Sequence, residues 1–112
     1  MTYDNQLHEA FIALADPTRR GIFETLRHAP QSVSQIAAGQ TVSRPAVSQH
    51  LKALQNAGLV SATSKGTRNI YAIRREGLQP LRSYLDQFWG DVLDAYKEEI
   101  ETHYGANNDK NN

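Results

Sequence analysis

Ser43-Arg44-Pro45-Ala46-Val47-Ser48-Gln49-His50-Leu51-Lys52-Ala53-Leu54 is the stretch on which the reading of this chain turns. Ser43 suits a helix N-cap. Pro45 has no N–H, so the natural donor to the Ser43 hydroxyl is the amide of Ala46. Val47, Leu51 and Leu54 then recur at i, i+4 and i+7, which makes one buried stripe. Arg44, Ser48, Gln49 and Lys52 fall largely off that stripe. Gly58 ends the helix as a left-handed cap, and Leu59 can fold back onto Leu54.

Working upstream, Gly39-Gln40-Thr41-Val42 reads as a tight turn, preceded by a short helix from about Ser34 to Ala38 with Ile36 and Ala37 inward. Thr41 holds a turn position where glycine would permit a positive φ. Asp16-Pro17 starts an earlier helix, with Asp as N-cap and Pro in the first helical position. That helix runs to about Arg27 and turns Ile22, Phe23 and Leu26 inward. Gly21 within it is expected to mark close packing by a neighbouring helix. Ala29-Pro30 breaks the run. The first helix covers about Asn5 to Ala15, with Leu7, Phe11 and Leu14 at helical spacing.

Downstream, Leu59 to Lys65 and Asn69 to Arg74 read as two strands rich in β-branched and aromatic residues. Gly66-Thr67 forms the hairpin tip, flanked by the cations Lys65 and Arg68. From Gly77 a long helix is predicted to about Tyr104. Leu81, Leu85, Phe88, Trp89, Val92, Tyr96 and Ile100 recur along it in steps of three and four, and Leu78 and Leu93 widen the stripe. Such a helix is about 40 Å long, more than a domain this small needs to cover itself. The predicted fold is mainly α with a small β-hairpin, in the order α-α-α-α-β-β-α. Two helices, a tight turn and a basic hairpin make a winged helix-turn-helix. Residues 1–104 form the expected domain, and the polar stretch 105–112 is expected to be disordered.

The formal net charge is zero, but it is unevenly spread. Residues 1–75 carry nine Lys and Arg against four acids, while residues 76–112 carry three against eight. Such asymmetry between halves points toward nucleic acid. The major groove, about 12 Å wide, admits one α-helix whose first turns reach base edges. Ser43, Arg44, Pro45, Ala46, Ser48, Gln49 and His50 would occupy that position. Arg44 can pair with guanine or phosphate, and Gln49 can read adenine with two hydrogen bonds. Ser48 suits either partner, and Ala46 can touch a thymine methyl. Lys52, and Lys65 and Arg68 on the wing, would add to contacts with the duplex.

Other classes are less well served. The 112 residues contain no cysteine, which excludes disulfides and thiolate metal sites and fits a cytoplasmic chain. No run reaches the length of a membrane span, and the first residues lack the layout of a signal peptide. A catalytic reading finds neither a glycine-rich phosphate loop nor paired metal ligands. A protein-interaction module built on the same fold is the main alternative, and the charge split argues against it.

Over about residues 7–104 the sequence resembles the ArsR/SmtB family of winged-helix repressors. The segments that carry the likeness are Leu14-Ala15-Asp16-Pro17-Thr18-Arg19-Arg20, Ser43 to Leu54, Asn56-Ala57-Gly58-Leu59-Val60 and the wing Lys65-Gly66-Thr67-Arg68-Asn69-Ile70-Tyr71. The ending resembles the subgroup without metal ligands, which includes a sporulation-delay autorepressor. The resemblance implies homodimers formed by the first and last helices, bound to near-palindromic operators. Leu7, Phe11, Leu14, Phe88, Trp89, Val92, Tyr96 and Ile100 would build that interface, while Leu78, Leu81 and Leu85 would stay mostly within the chain. A two-fold dimer sets its reading helices about 34 Å apart, one turn of DNA.

The metal sites of the family can be checked residue by residue. Where arsenic- and cadmium-sensing members carry two cysteines, this sequence has Ser32 and Ser34, whose hydroxyls are poor ligands for soft metals. At the zinc-type site of the last helix, Asp86 matches, but Phe88, Glu99 and Thr102 take the other three places. His8, His28, His50 and His103 lack ligand spacing. No metal or cofactor is expected. Regulation stays open between a small ligand at the dimer helices, a regulatory protein partner and the protein's own concentration, with the last two favoured.

Overall fold

The computed structural model describes residues 2–105, with side-chain exposure for residues 5–103. Its elements run in the order α1 Thr2–Ala15, α2 Pro17–Thr25, β1 Gln31–Ser32, α3 Val33–Ala38, α4 Arg44–Asn56, β2 Val60–Lys65, β3 Arg68–Ile73 and α5 Arg75–Ile100, then a π-helical segment, Glu101–Gly105. The chain divides into two compact units, one from Met1 to Leu81 and one from Arg82 onward.

In the first unit the helix ends are set by local chemistry. Asp16 Oδ2 accepts from the Arg19 amide at 2.8 Å, capping α2 ahead of Pro17. Ser32 and Gln35 form a capping box on α3. The Gln35 amide donates to Ser32 Oγ at 3.2 Å, and the Ser32 amide donates to Gln35 Oε1 at 2.8 Å. The Ala46 amide donates to Ser43 Oγ at 3.3 Å, the cap expected for α4. At the other end of α4, Gly58 takes φ +77°, and the Leu59 amide reaches the Leu54 carbonyl at 3.0 Å, which closes a Schellman motif. Thr41 needs no glycine, because among the described residues no non-glycine residue has a positive φ.

Ile22, Leu26, Ile36, Val47, Leu51, Leu54, Leu59 and Val60 form the buried core, joined by Ala10 and Ala13 of α1. Small residues let α1 lie close to its neighbours. Leu7 and Leu14 are half-buried, whereas Phe11 is 44% exposed and Ile12 52%. Val42, Tyr71, Ile73, Leu78 and Leu81 pack against this core from its edges. A β-carbon on Gly21 would meet nothing within 4 Å, so the expected close helix packing there is corrected. Ile22 of α2 and Leu26 at its C-cap are the residues buried in the core, beside a glycine that no other element crowds.

The sheet has three antiparallel strands in the order β1-β3-β2, one more than the hairpin predicted from sequence. β2 and β3 pair from Val60↔Ile73 to Lys65↔Arg68, leaving Gly66-Thr67 as a two-residue loop. Gly66 takes φ +66° in the first central position, as a II′ hairpin turn requires. β1 pairs Gln31↔Tyr71 and Ser32↔Ile70. This short strand ties the start of α3 to the wing.

The second unit holds most of α5. The helix opens two residues before the expected Gly77, and its α-helical part ends at Ile100 before the π-helical segment. Leu85 is 58% exposed, so its expected place within the chain is corrected: the helix turns it outward with Phe88, Trp89, Val92 and Tyr96. Tyr84 and Phe88 stack with ring centroids 6.3 Å apart, and Arg82 meets Asp86 at 3.7 Å. The tail expected from residue 105 lies, beyond Gly105, outside the described residues.

Candidate nucleic-acid interface

The outward face of α4 carries Arg44, Pro45, Ser48, Gln49 and Lys52, all exposed. They are exposed because Val47, Leu51 and Leu54, fully buried, fix which side of the helix meets the core. Ser43 is spent on the cap, and Ala46 is half-buried. His50 is also half-buried and turns toward α2, where its Nδ1 stands 3.9 Å from Asp16 Oδ2. The carboxylate that caps α2 thus also faces α4. His50 thus lies on the side of α4 that faces Asp16, apart from the exposed row.

On the wing, Lys65 and Arg68 are exposed and face each other across the last pair of the ladder. One step inward, Ser64 Oγ donates to Asn69 Oδ1 at 3.2 Å. The base of the wing is fastened by Arg74, whose amide donates to the Leu59 carbonyl at 2.9 Å and whose Nη1 donates to Gly58 O at 2.8 Å.

Between α3, the start of α4 and the wing tip lies an open cleft of about 380 Å³. Arg44 and Ser48 of α4 line it with Thr67, Arg68 and Asn69 of the wing and Ser34 of α3. Sequence reasoning brought Arg44, Ser48 and Arg68 forward but missed Ser34, Thr67 and Asn69. Their signal was three-dimensional, since β1 must pair with β3 before Ser34 comes near the wing. Among the described residues no group of three or more His, Cys, Asp or Glu side chains is arranged to hold a metal ion. No helix among them is long and apolar enough to cross a membrane.

A reading helix packed on a short helix through a tight turn, followed by a β-hairpin, defines a winged helix-turn-helix. Residues 16–62 match the model of the arsR family of bacterial regulatory proteins. The HTH-type transcriptional regulator Rv2034 of Mycobacterium tuberculosis is 48% identical over 93 residues, 83% of this chain and 87% of that protein. The transcriptional repressor SdpR of Bacillus subtilis is 30% identical over 82 residues, 73% of this chain and 91% of the repressor. The homodimeric winged helix-turn-helix DNA-binding domain Mb0332 of Mycobacterium bovis, solved by NMR, superposes with a TM-score of 0.63 at 32% identity, covering 77% of this chain and 79% of that domain. The chain belongs to the arsR family. It is a regulator of transcription and not an enzyme.

Proposed function

We propose that this chain is a sequence-specific repressor that binds duplex DNA as a symmetric homodimer, with α4 in the major groove and the wing along the backbone. The observation that carries the reading is the exposed row Arg44, Ser48, Gln49 and Lys52 on a helix whose opposite side is wholly buried, with Lys65 and Arg68 exposed on the hairpin of the same unit. Gln49 is the base reader, since a side-chain amide matches adenine with two hydrogen bonds, while the Ser48 hydroxyl can serve base or backbone. The cations supply the sequence-independent share by displacing counterions from phosphates.

The homodimer is supported by a row of apolar side chains on α5, where Phe88, Trp89, Val92 and Tyr96 are more than two-fifths exposed. Exposed apolar surface on this scale marks an interaction site. Leu7, Phe11 and Leu14 of α1 complete the proposed interface, as in the family resemblance. Repression needs nothing beyond occupancy of the promoter, and the similar protein from Bacillus subtilis is itself a repressor. The upstream region of the protein's own gene is the first operator to test.

Footprinting of that region with purified protein, with light scattering on the same sample, decides the matter. A protected near-palindrome and a dimeric mass are expected. A stable monomer, or equal binding to all sequences, would overturn the proposal.

A further inference from the structure

Resting on the DNA-binding reading above, we infer that Arg44 and Arg68 close on one and the same phosphodiester of the duplex, seated in the cleft between α3, α4 and the wing. Arg44 then positions the protein and does not read a base.

The composition of the cleft carries this. Two arginines line it from separate elements, and no acidic residue is among those that line it. The other polar groups are neutral, including the hydroxyls of Ser34, Ser48 and Thr67 and the amide of Asn69. Asn69 Oδ1 already accepts from Ser64, which leaves its NH₂ group to donate. A set of donors beside two positive charges fits a phosphate, which offers only acceptors and a negative charge. The cleft, about 380 Å³ and open to solvent, is large enough to admit a phosphate group.

Shape separates phosphate from base. A concavity on the protein receives a convex part of the duplex, and the convex part is the backbone ridge. Base edges line the floor of the groove and are met by side chains that project from the helix. Gln49 projects in this way: it is exposed on α4 and does not line the cleft. Ser34, Thr67 and Asn69 become positioning residues, brought together by the β1–β3 pairing.

The test is a salt series read by fluorescence anisotropy, with one duplex selected from a random pool for tight binding and one random duplex. Full-length wild type, Arg44→Ala, Arg68→Ala, the double variant and Asn69→Asp are compared. Each single arginine variant should weaken both duplexes equally, on the order of tenfold. Asn69→Asp, nearly isosteric, should weaken both duplexes alike by setting a negative charge in the seat. With one shared phosphate per protomer, the double variant should lower the slope of log affinity on log salt by about 1.8 for a dimer. A loss near 3.6 would mean two separate phosphates per protomer and overturn the shared seat. Lost preference for the selected duplex in Arg44→Ala would overturn its positioning role. Absence of any wild-type binding would overturn this inference and the DNA-binding reading together, so the two failures are distinguishable.

Discussion

Gly77 lies backbone to backbone against Gly58: a β-carbon on Gly77 would overlap the Gly58 carbonyl oxygen and stand 2.8 Å from its carbonyl carbon. The first turn of α5 is thereby seated on the end of α4 at the point where Gly58, at φ +77°, reverses the chain into the wing. Neither backbone can yield without disturbing a helix end.

Gly77→Ala is therefore expected to destabilise the protein by about 3 kcal/mol, as overpacking against an unyielding partner does. Gly21→Ala is the control. It lies within a helix, no atom of another element stands within 4 Å of the added carbon, and stability should rise by up to about 1 kcal/mol. Urea unfolding midpoints at fixed protein concentration check both signs.

Ser32 serves two elements, as N-cap of α3 and as partner of Ile70 in β1. It is 2% exposed. Ser32→Ala should cost about 1 kcal/mol through the lost cap, and the unfolding transition in urea reads it. Ser32→Thr, which keeps the capping oxygen, should recover part of that loss. An unchanged midpoint in the alanine variant would show the cap to be dispensable.

Gln49→Ala should leave affinity for random duplex nearly unchanged while removing about 1–3 kcal/mol of preference for the selected site. Competition gel shifts with the two duplexes in one tube measure the ratio directly. Equal losses on both duplexes would move Gln49 from reading bases to touching backbone.

Trp89 is 62% exposed on α5, so replacing it costs the isolated chain little. Across a dimer interface the same change buries a charge. Trp89→Glu is expected to weaken association by about 3 kcal/mol, roughly a hundredfold. Sedimentation equilibrium should show monomer where wild type is dimeric, with circular dichroism unchanged. DNA affinity should drop with it, because a monomer holds only one half-site.

Much of the first unit was legible in the linear chain because its signals are local. Caps such as Asp16 and Ser43 act over three residues. The stripe Val47, Leu51, Leu54 spans two turns of helix, and the Gly58 stop and Gly66 turn are single-residue conformational facts. β1 escaped because two residues carry no periodicity. It exists as a strand only through its ladder to Tyr71 and Ile70. Leu85 kept helical spacing yet came out exposed, since periodicity names a stripe without naming what covers it.

The sequence by itself determined which segments are helix, turn and hairpin, and which side of α4 must be polar, because capping, backbone freedom and amphipathic period are properties of neighbours along the chain. Only the tertiary structure decided that Ser34, Thr67 and Asn69 share a cleft with Arg44 and Arg68, and that His50 turns toward Asp16. Those placements depend on strand pairing and helix packing between residues far apart in the chain, and no local preference encodes a distance of that kind.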